Sequence, residues 1–247
     1  MNFDSDGVRL HYELHGPENG MPVVLVHGFA SDYRLNWVGT RWQETLTQAG
    51  YRVVGLDCRG HGKSDKPHDP AAYALEKMSA DVLGLMDHLD IRTAHYVGYS
   101  MGARVGIQAL LDFSPQLSRV VLGGVGWGGA FGEAQEIARA MRGEPTTSEV
   151  AKSFYDFARA RPDNDLEALA ACILGPQPAP DPNGLAAITN PVLVAVGEND
   201  DIAVNAKRLV ETIPNARLLT IGGRNHMSAV PAREFKEAAL EFLAAGA

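Results

Sequence analysis

Short β-branched runs recur along this chain, separated by longer amphipathic segments, and that alternation restricts the fold more than any other feature. Val23-Val24-Leu25-Val26 is apolar at successive positions, the pattern of a strand covered on both faces. Val53-Val54-Gly55-Leu56, His95-Tyr96-Val97, Val120-Val121-Leu122, residues 192–196 and Leu218-Leu219-Thr220-Ile221 repeat the theme. Between them Leu75, Met78, Val82, Leu85 and Leu89 form one helical stripe, with Glu76, Lys77, Asp81 and Asp87 mostly on its wet side. Such alternation predicts an α/β fold with a largely parallel sheet. The early segment 8–15, with Val8, Leu10, Tyr12 and Leu14 on one face, reads as an edge strand. Near the C-terminus, Pro231 suits the first turn of a helix that buries Phe235, Ala239 and Phe242.

One stretch breaks the rhythm. Residues 127–187 contain no convincing strand, and Pro and Gly punctuate helical pieces expected over 133–141, 148–160 and 166–173. Pro162 and Pro176 mark breaks, while Phe154, Tyr155, Phe157, Leu166, Leu169 and Ile173 require burial. This predicts a small helical insertion over the end of the sheet, dividing the chain into a core (1–126 and 188–247) and a cap (127–187).

A chain of 247 residues can bury a core without disulfides or metals. Its net charge of −8 argues against nucleic-acid binding, which needs a basic face to neutralise phosphates. The two cysteines, Cys58 and Cys172, are far apart and give no C-x-x-C spacing, so neither a disulfide framework nor a zinc site is expected. The first residues lack the basic start and apolar stretch of a signal peptide, and no apolar segment approaches the roughly 20 residues of a membrane span. A cytoplasmic protein with no membrane partner is the expectation; nothing here indicates an oligomeric state.

Gly98-Tyr99-Ser100-Met101-Gly102 matches G-x-S-x-G between a β-rich run (94–97) and a helical pattern (103–111). The chemistry explains the glycines: a serine hydroxyl can project from a very tight strand-to-helix turn only where neighbouring positions carry no Cβ. That turn also sets Ser100 at a helix N-terminus, which favours a developing anion. Such a serine needs a base, and of eight histidines His226 is best placed, in Gly222-Gly223-Arg224-Asn225-His226 after the last predicted strand. His11, His15, His68 and His88 read as surface residues, and His95 begins a strand at the wrong rim. An acid must orient the imidazole. Asp200, in the loop after strand 192–196, is preferred, with Asp201 its main rival and Glu198 third. The chain order Ser, Asp, His agrees.

His27-Gly28-Phe29 follows a buried strand, so its loop can aim an N–H at a reacting carbonyl oxygen, partnered by the N–H after the serine. That nominates the amides of Phe29 and Met101 as an oxyanion hole, with His27 bracing the loop. Phe29, Tyr99 and Trp127 are candidate substrate-binding side chains, and Phe131, Phe154, Tyr155 and Phe157 are further aromatics for an apolar pocket. Two glycine segments suggest nucleotides and then fail. Gly60-His61-Gly62-Lys63-Ser64 ends like a phosphate loop, but Asp57 occupies the position of its first glycine. Gly124-Val125-Gly126-Trp127-Gly128-Gly129 matches G-x-G-x-x-G, yet no strand closes the unit until residue 192. No cofactor or metal is called for.

Taken together, His27-Gly28-Phe29, the segment 57–64, the serine motif, residues 197–200 and Asn225-His226 make the chain resemble the α/β-hydrolase superfamily along nearly its whole length. The resemblance implies an eight-stranded sheet with its first strands antiparallel, helices on both faces, and a cap inserted after the sixth strand. It also implies that 57–64 is a structural loop near the site. The chain is most similar to small esterases, lactonases and carbon–carbon bond hydrolases. Haloalkane dehalogenases look alike but carry aspartate where this chain has Ser100. The expected activity is cleavage of a small acyl compound, an ester first, through an acyl-enzyme on Ser100. Carbon–carbon bond hydrolysis, lyase or cofactor-free oxidative chemistry with the same triad is the alternative, and a non-catalytic receptor a more distant one.

Overall fold

Continuous apolar strands need cover on both faces, and the architecture supplies it. A computed structural model describes residues 1–128 and 132–245. The strands are β1 (Asn2–Ser5), β2 (Val8–His15), β3 (Pro22–Val26), β4 (Arg52–Leu56), β5 (Ala94–Tyr99), β6 (Leu117–Gly123), β7 (Val192–Gly197) and β8 (Ala216–Ile221). They form one sheet in the order β1-β2-β4-β3-β5-β6-β7-β8. The β2 strand runs antiparallel to both β1 and β4, and every later pairing is parallel. The helices are α1 (Trp42–Gln48), α2 (Leu75–His88), α3 (Met101–Phe113), α4 (Ala134–Met141), α5 (Glu149–Arg159), α6 (Leu166–Ile173), α7 (Pro182–Ala186), α8 (Ala206–Thr212), α9 (His226–Ala229) and α10 (Arg233–Ala244).

The period-two pleat divides the core in two. Val23 and Leu25 join Val53, Val97, Val121 and Leu193 under Trp42 and Leu46 of α1 and Phe235, Ala239 and Phe242 of α10. Val24 and Val26 point the other way, with Val54, Tyr96, Val120 and Val194, onto α2, α3 and α8. Helices therefore cover both faces, as the alternation of runs predicts. Helices α4 to α7 all lie between β6 and β7. The α5 helix starts on an N-cap Ser148 that accepts the Ala151 N–H, and α6 on Asp165, which accepts from Glu167 and Ala168.

Four expectations need correcting. The β2 strand is not the edge: β1 lies outside it, its four residues too few to show a period. Asp81, placed on the wet side of α2, is buried and grips the buried Arg59 through two 2.7 Å hydrogen bonds, with the Ser5 hydroxyl also donating at 2.6 Å. The last helix begins at Arg233 rather than at Pro231. His226 lies in the short helix α9, not in a loop, because Asn225 and Ser228 close a capping box around its first turn. Phe131 falls outside the described residues. Among the described residues no helix is long and apolar enough to cross a membrane.

Burial holds three histidines neutral. It depresses His27, lowers His61 to about 3, where His27 also contributes, and lowers His95 to about 4. The unfolded chain takes up protons near pH 6.5, so the stability these groups confer is complete above that pH and is lost as pH falls toward the folded values. The urea midpoint should therefore fall between pH 6.5 and 4.5, and His95→Leu should flatten that fall by up to about one proton. An unchanged slope in His95→Leu would contradict a neutral buried His95.

Candidate active site

The turn between β5 and α3 exposes one serine. Ser100 sits at φ 53°, ψ −109°, a conformation that side-chain-bearing residues rarely adopt. Its N–H bonds the Gly123 carbonyl at 2.8 Å, and the Gly102 N–H bonds that of His27 at 3.1 Å, so strand ends on both sides clamp the turn. A Cβ at Gly102 would collide with the Val26 carbonyl, and one at Gly98 with that of Gly102. Here the motif's glycines are a steric requirement.

The loops after β7 and β8 bring the partners. His226 Nε2 lies 2.9 Å from Ser100 Oγ, and its Nδ1 lies 2.9 and 3.0 Å from the two Asp200 oxygens. The neutral imidazole therefore carries its proton on Nδ1 and accepts the serine hydroxyl on Nε2. The carboxylate of Asp200 is 1% exposed and also accepts the Ile202 and Ala203 N–H groups, each at 3.0 Å. Burial opposes its charge, but these hydrogen bonds and His226 prevail and hold it below the usual carboxylate range. Asp201 is exposed, and Glu198 accepts the Gly223 N–H instead, so neither rival reaches the imidazole. Tyr99 donates its hydroxyl to the His226 carbonyl at 2.5 Å and lies beside the ring, fixing the helix that carries it.

The loop after β3 is equally determined. His27 Nδ1 donates to the Gly28 carbonyl (2.8 Å) while Nε2 accepts the Cys58 N–H (3.0 Å), and Asn36 Oδ1 accepts the Gly28 N–H (3.0 Å). His27 thus braces the loop. The N–H groups of Phe29 and Met101 have no acceptor among the described residues, and Gly28 lies against the Ser100 Cβ. In the 57–64 segment, Asp57 accepts the Tyr33 and Lys63 N–H groups at 2.8 and 2.9 Å and fills the space beside Gly62. No phosphate cradle exists there. Gly124 packs on Tyr99 and His226, and Gly126 on the Val204 carbonyl, so close approach explains these two glycines of the G-x-G-x-x-G match.

Two chambers meet at Ser100. The larger, about 640 Å³, is lined by Phe29, Tyr99, Phe154 and Phe157 among others and reaches Leu35, Met227 and Val230. The smaller, about 60 Å³, lies between Phe29, Met101, Arg104, Val125, Ile173 and Gln177. Of the three candidate substrate-binding residues, Phe29 and Tyr99 line the larger chamber. Trp127 does not: it lines neither chamber and packs with the Arg208 guanidinium 4.3 Å from its ring, because the chain leaves β6 toward α8. Tyr155 likewise sits under Arg159. Sequence reasoning missed Arg104, Asn36 and Ile202. Only Arg104 carried a signal, standing one helical turn beyond the serine.

The chain matches the family described as alpha/beta hydrolase fold over residues 21–160. It is 30% identical to a 2-hydroxy-6-oxononadienedioate/2-hydroxy-6-oxononatrienedioate hydrolase of Burkholderia vietnamiensis, covering 97% of this chain and 92% of that protein. It superposes on the crystal structure of the enol-lactonase from Burkholderia xenovorans LB400 with a TM-score of 0.80 at 25% identity, covering 98% of this chain and 99% of that one. Two other relatives share only a part, and the matches span 41% and 30% of their lengths. One of them is the dihydrolipoyllysine-residue acetyltransferase component of an acetoin cleaving system from Pseudomonas putida, 40% identical over 119 residues. With a family match over more than half its length and a full-length relative at this identity, the chain belongs to the alpha/beta hydrolase family.

Proposed function

We propose that this protein is a serine hydrolase that cleaves a carboxylic ester or lactone through an acyl-enzyme on Ser100. The observation that carries the reading is the unbroken chain from Ser100 Oγ through His226 to the buried Asp200, at 2.9 to 3.0 Å per contact. Ser100 attacks the carbonyl carbon and passes its proton to His226 Nε2, and Asp200 steadies the imidazolium that forms. The oxyanion is held by the N–H groups of Phe29 and Met101, which have no acceptor among the described residues. His226 then protonates the leaving alkoxide, and a water activated by the same imidazole resolves the acyl-enzyme.

The segment 127–187 acts as the cap in this reading. Phe154 and Phe157 of α5 close the large chamber, and Asn164 donates to the Ala30 carbonyl at 3.3 Å beside an ion pair between Arg161 and Asp32. These contacts tie the cap to the loop that supplies the Phe29 amide. The two thiols, Cys58 and Cys172, are buried and unpaired, which fits a cytoplasmic setting.

A second reading, carbon–carbon bond hydrolysis by the same triad, is favoured by one observation, the full-length likeness to the oxononadienedioate hydrolase. Product analysis with a vinylogous 1,5-diketone acid separates the two, since only this reading releases a carboxylic acid and an enol from it.

Ser100→Ala should abolish labelling by a fluorophosphonate and lower p-nitrophenyl acetate turnover by at least about 10³-fold. A folded Ser100→Ala protein with undiminished turnover refutes the proposal. Asp200→Asn should cost about 10⁴-fold in kcat by removing the acceptor that sets the His226 tautomer, whereas Asp201→Asn should cost less than about tenfold. Equal losses in the two variants would overturn the choice of acid.

A further inference from the structure

Arg104 is a cation without a counter-ion among the described residues. It stands in the first turn of α3, its N–H bonded to the Ser100 carbonyl at 3.1 Å, and it lines the small chamber together with Ser100. Among the described residues its guanidinium makes one hydrogen bond, from Nη1 to the Gly128 carbonyl at 3.1 Å, and no ion pair. By contrast, the buried Arg59 is held by both oxygens of Asp81. A guanidinium offers five N–H donors, and a half-buried one facing neutral groups is costly unless an anion joins it. Burial pulls Arg104 below the usual arginine range. Gln177 lines the same chamber.

We propose that the small chamber is an anion subsite, in which Arg104 binds a carboxylate on a short arm of the substrate while a larger uncharged arm fills the large chamber. The place of the scissile bond between the arms rests on Ser100 as the nucleophile; the subsite itself does not. About 60 Å³ admits a carboxylate with little chain attached, and one cation matches a monoanion better than a phosphate dianion. The large chamber instead has no lysine or arginine in its lining, and Asp201 stands there, which disfavours a second anion and gives the site one electrostatic direction. The substrate class is thus a short acid-bearing ester or lactone rather than a neutral one.

Two measurements separate this subsite from the ester reading. In the first, monomethyl glutarate and dimethyl glutarate are titrated calorimetrically into Ser100→Ala protein, where no turnover can occur. The half-acid should bind at least about tenfold more tightly, and Arg104→Met added to Ser100→Ala should erase the difference while Arg104→Lys keeps part of it. In the second, methanol release from both esters is followed with the intact enzyme, alongside acetate release from 4-acetoxybutyrate and butyl acetate, which put the carboxylate on the alcohol arm. A preference of at least about tenfold for one half-acid over its neutral partner is expected. Equal binding of the two glutarates to Ser100→Ala, together with no preference for either half-acid, overturns the subsite even if neutral esters are hydrolysed. Selective binding without any methanol or acetate release leaves the subsite standing and removes the ester reading. Should Arg104→Met fail to fold, the comparison of neutral and anionic ligands on Ser100→Ala decides without it.

Discussion

The backbone at Ser100 is the constraint on which the rest of the site depends. A non-glycine residue at φ 53° costs about 1 to 3 kcal/mol and persists only where its surroundings leave it no alternative. Here they do. Clamped by the Gly123 and His27 carbonyls, the turn can relax only by breaking both hydrogen bonds at the ends of central strands. The Tyr96 hydroxyl adds a third clamp, donating to the Gly102 carbonyl at 2.5 Å. Gly106 lets α3 lie against Tyr96 and Leu122, so the helix cannot lift away from the sheet without losing buried apolar contact. Strain is local to one residue and its restraint is spread over three strands.

The same economy governs the convergence of the other loops. Parallel strands deliver every loop at their carboxyl ends to one rim, and backbone bonds then lock those loops to one another. Gly124 donates to the Ala195 carbonyl at 2.8 Å, Glu198 to Ile221 at 2.9 Å, and Asn199 to Arg224 at 2.8 Å. Gly197 permits that last approach, since a Cβ there would strike the Arg224 carbonyl. Asp200 and His226 therefore do not find each other by side-chain reach alone. Main-chain hydrogen bonds between β7 and β8 loops fix their separation before the imidazole turns, which is the preorganisation that proton transfer needs.

What was legible in the sequence follows from how local each signal is. Continuous runs such as Val23-Val24-Leu25-Val26 declare a buried strand because both faces demand apolar cover, and three of the helices between β6 and β7 were bounded to within a residue of their observed ends. Ser100 stood out because glycines flank it between a strand and a helix, and His226 because it follows the last strand at the rim that carries the serine. Asp200 could be separated from Asp201 only in three dimensions, where two backbone N–H groups and burial select one of two adjacent carboxylates. Asp81 and Trp127 misled for a common reason. Each looked typical of its pattern, a charge on a helix and an aromatic near a site, and each is claimed by a distant arginine, Arg59 or Arg208. Partners so far away in sequence leave no periodic trace.

Arg104 belongs to a different category, since its position relative to Ser100 is a matter of helical geometry. Residues four apart on a helix stack on one face, so the turn that aims Ser100 at the chambers carries residue 104 along the same side. A cation there reinforces the positive end of α3, whose Met101 N–H, without an acceptor among the described residues, would serve a developing oxyanion in the proposed reaction. The two anions of the transition state, the oxyanion and a bound carboxylate, would repel each other across a few ångströms if the helix end were their only support. In the proposed reaction Arg104 would offset that repulsion at its source, neutralising the carboxylate before the oxyanion forms and leaving the N–H pair to the reacting oxygen. Charge selection and carbonyl activation would then be two uses of one helix terminus, held in place by the same clamped turn.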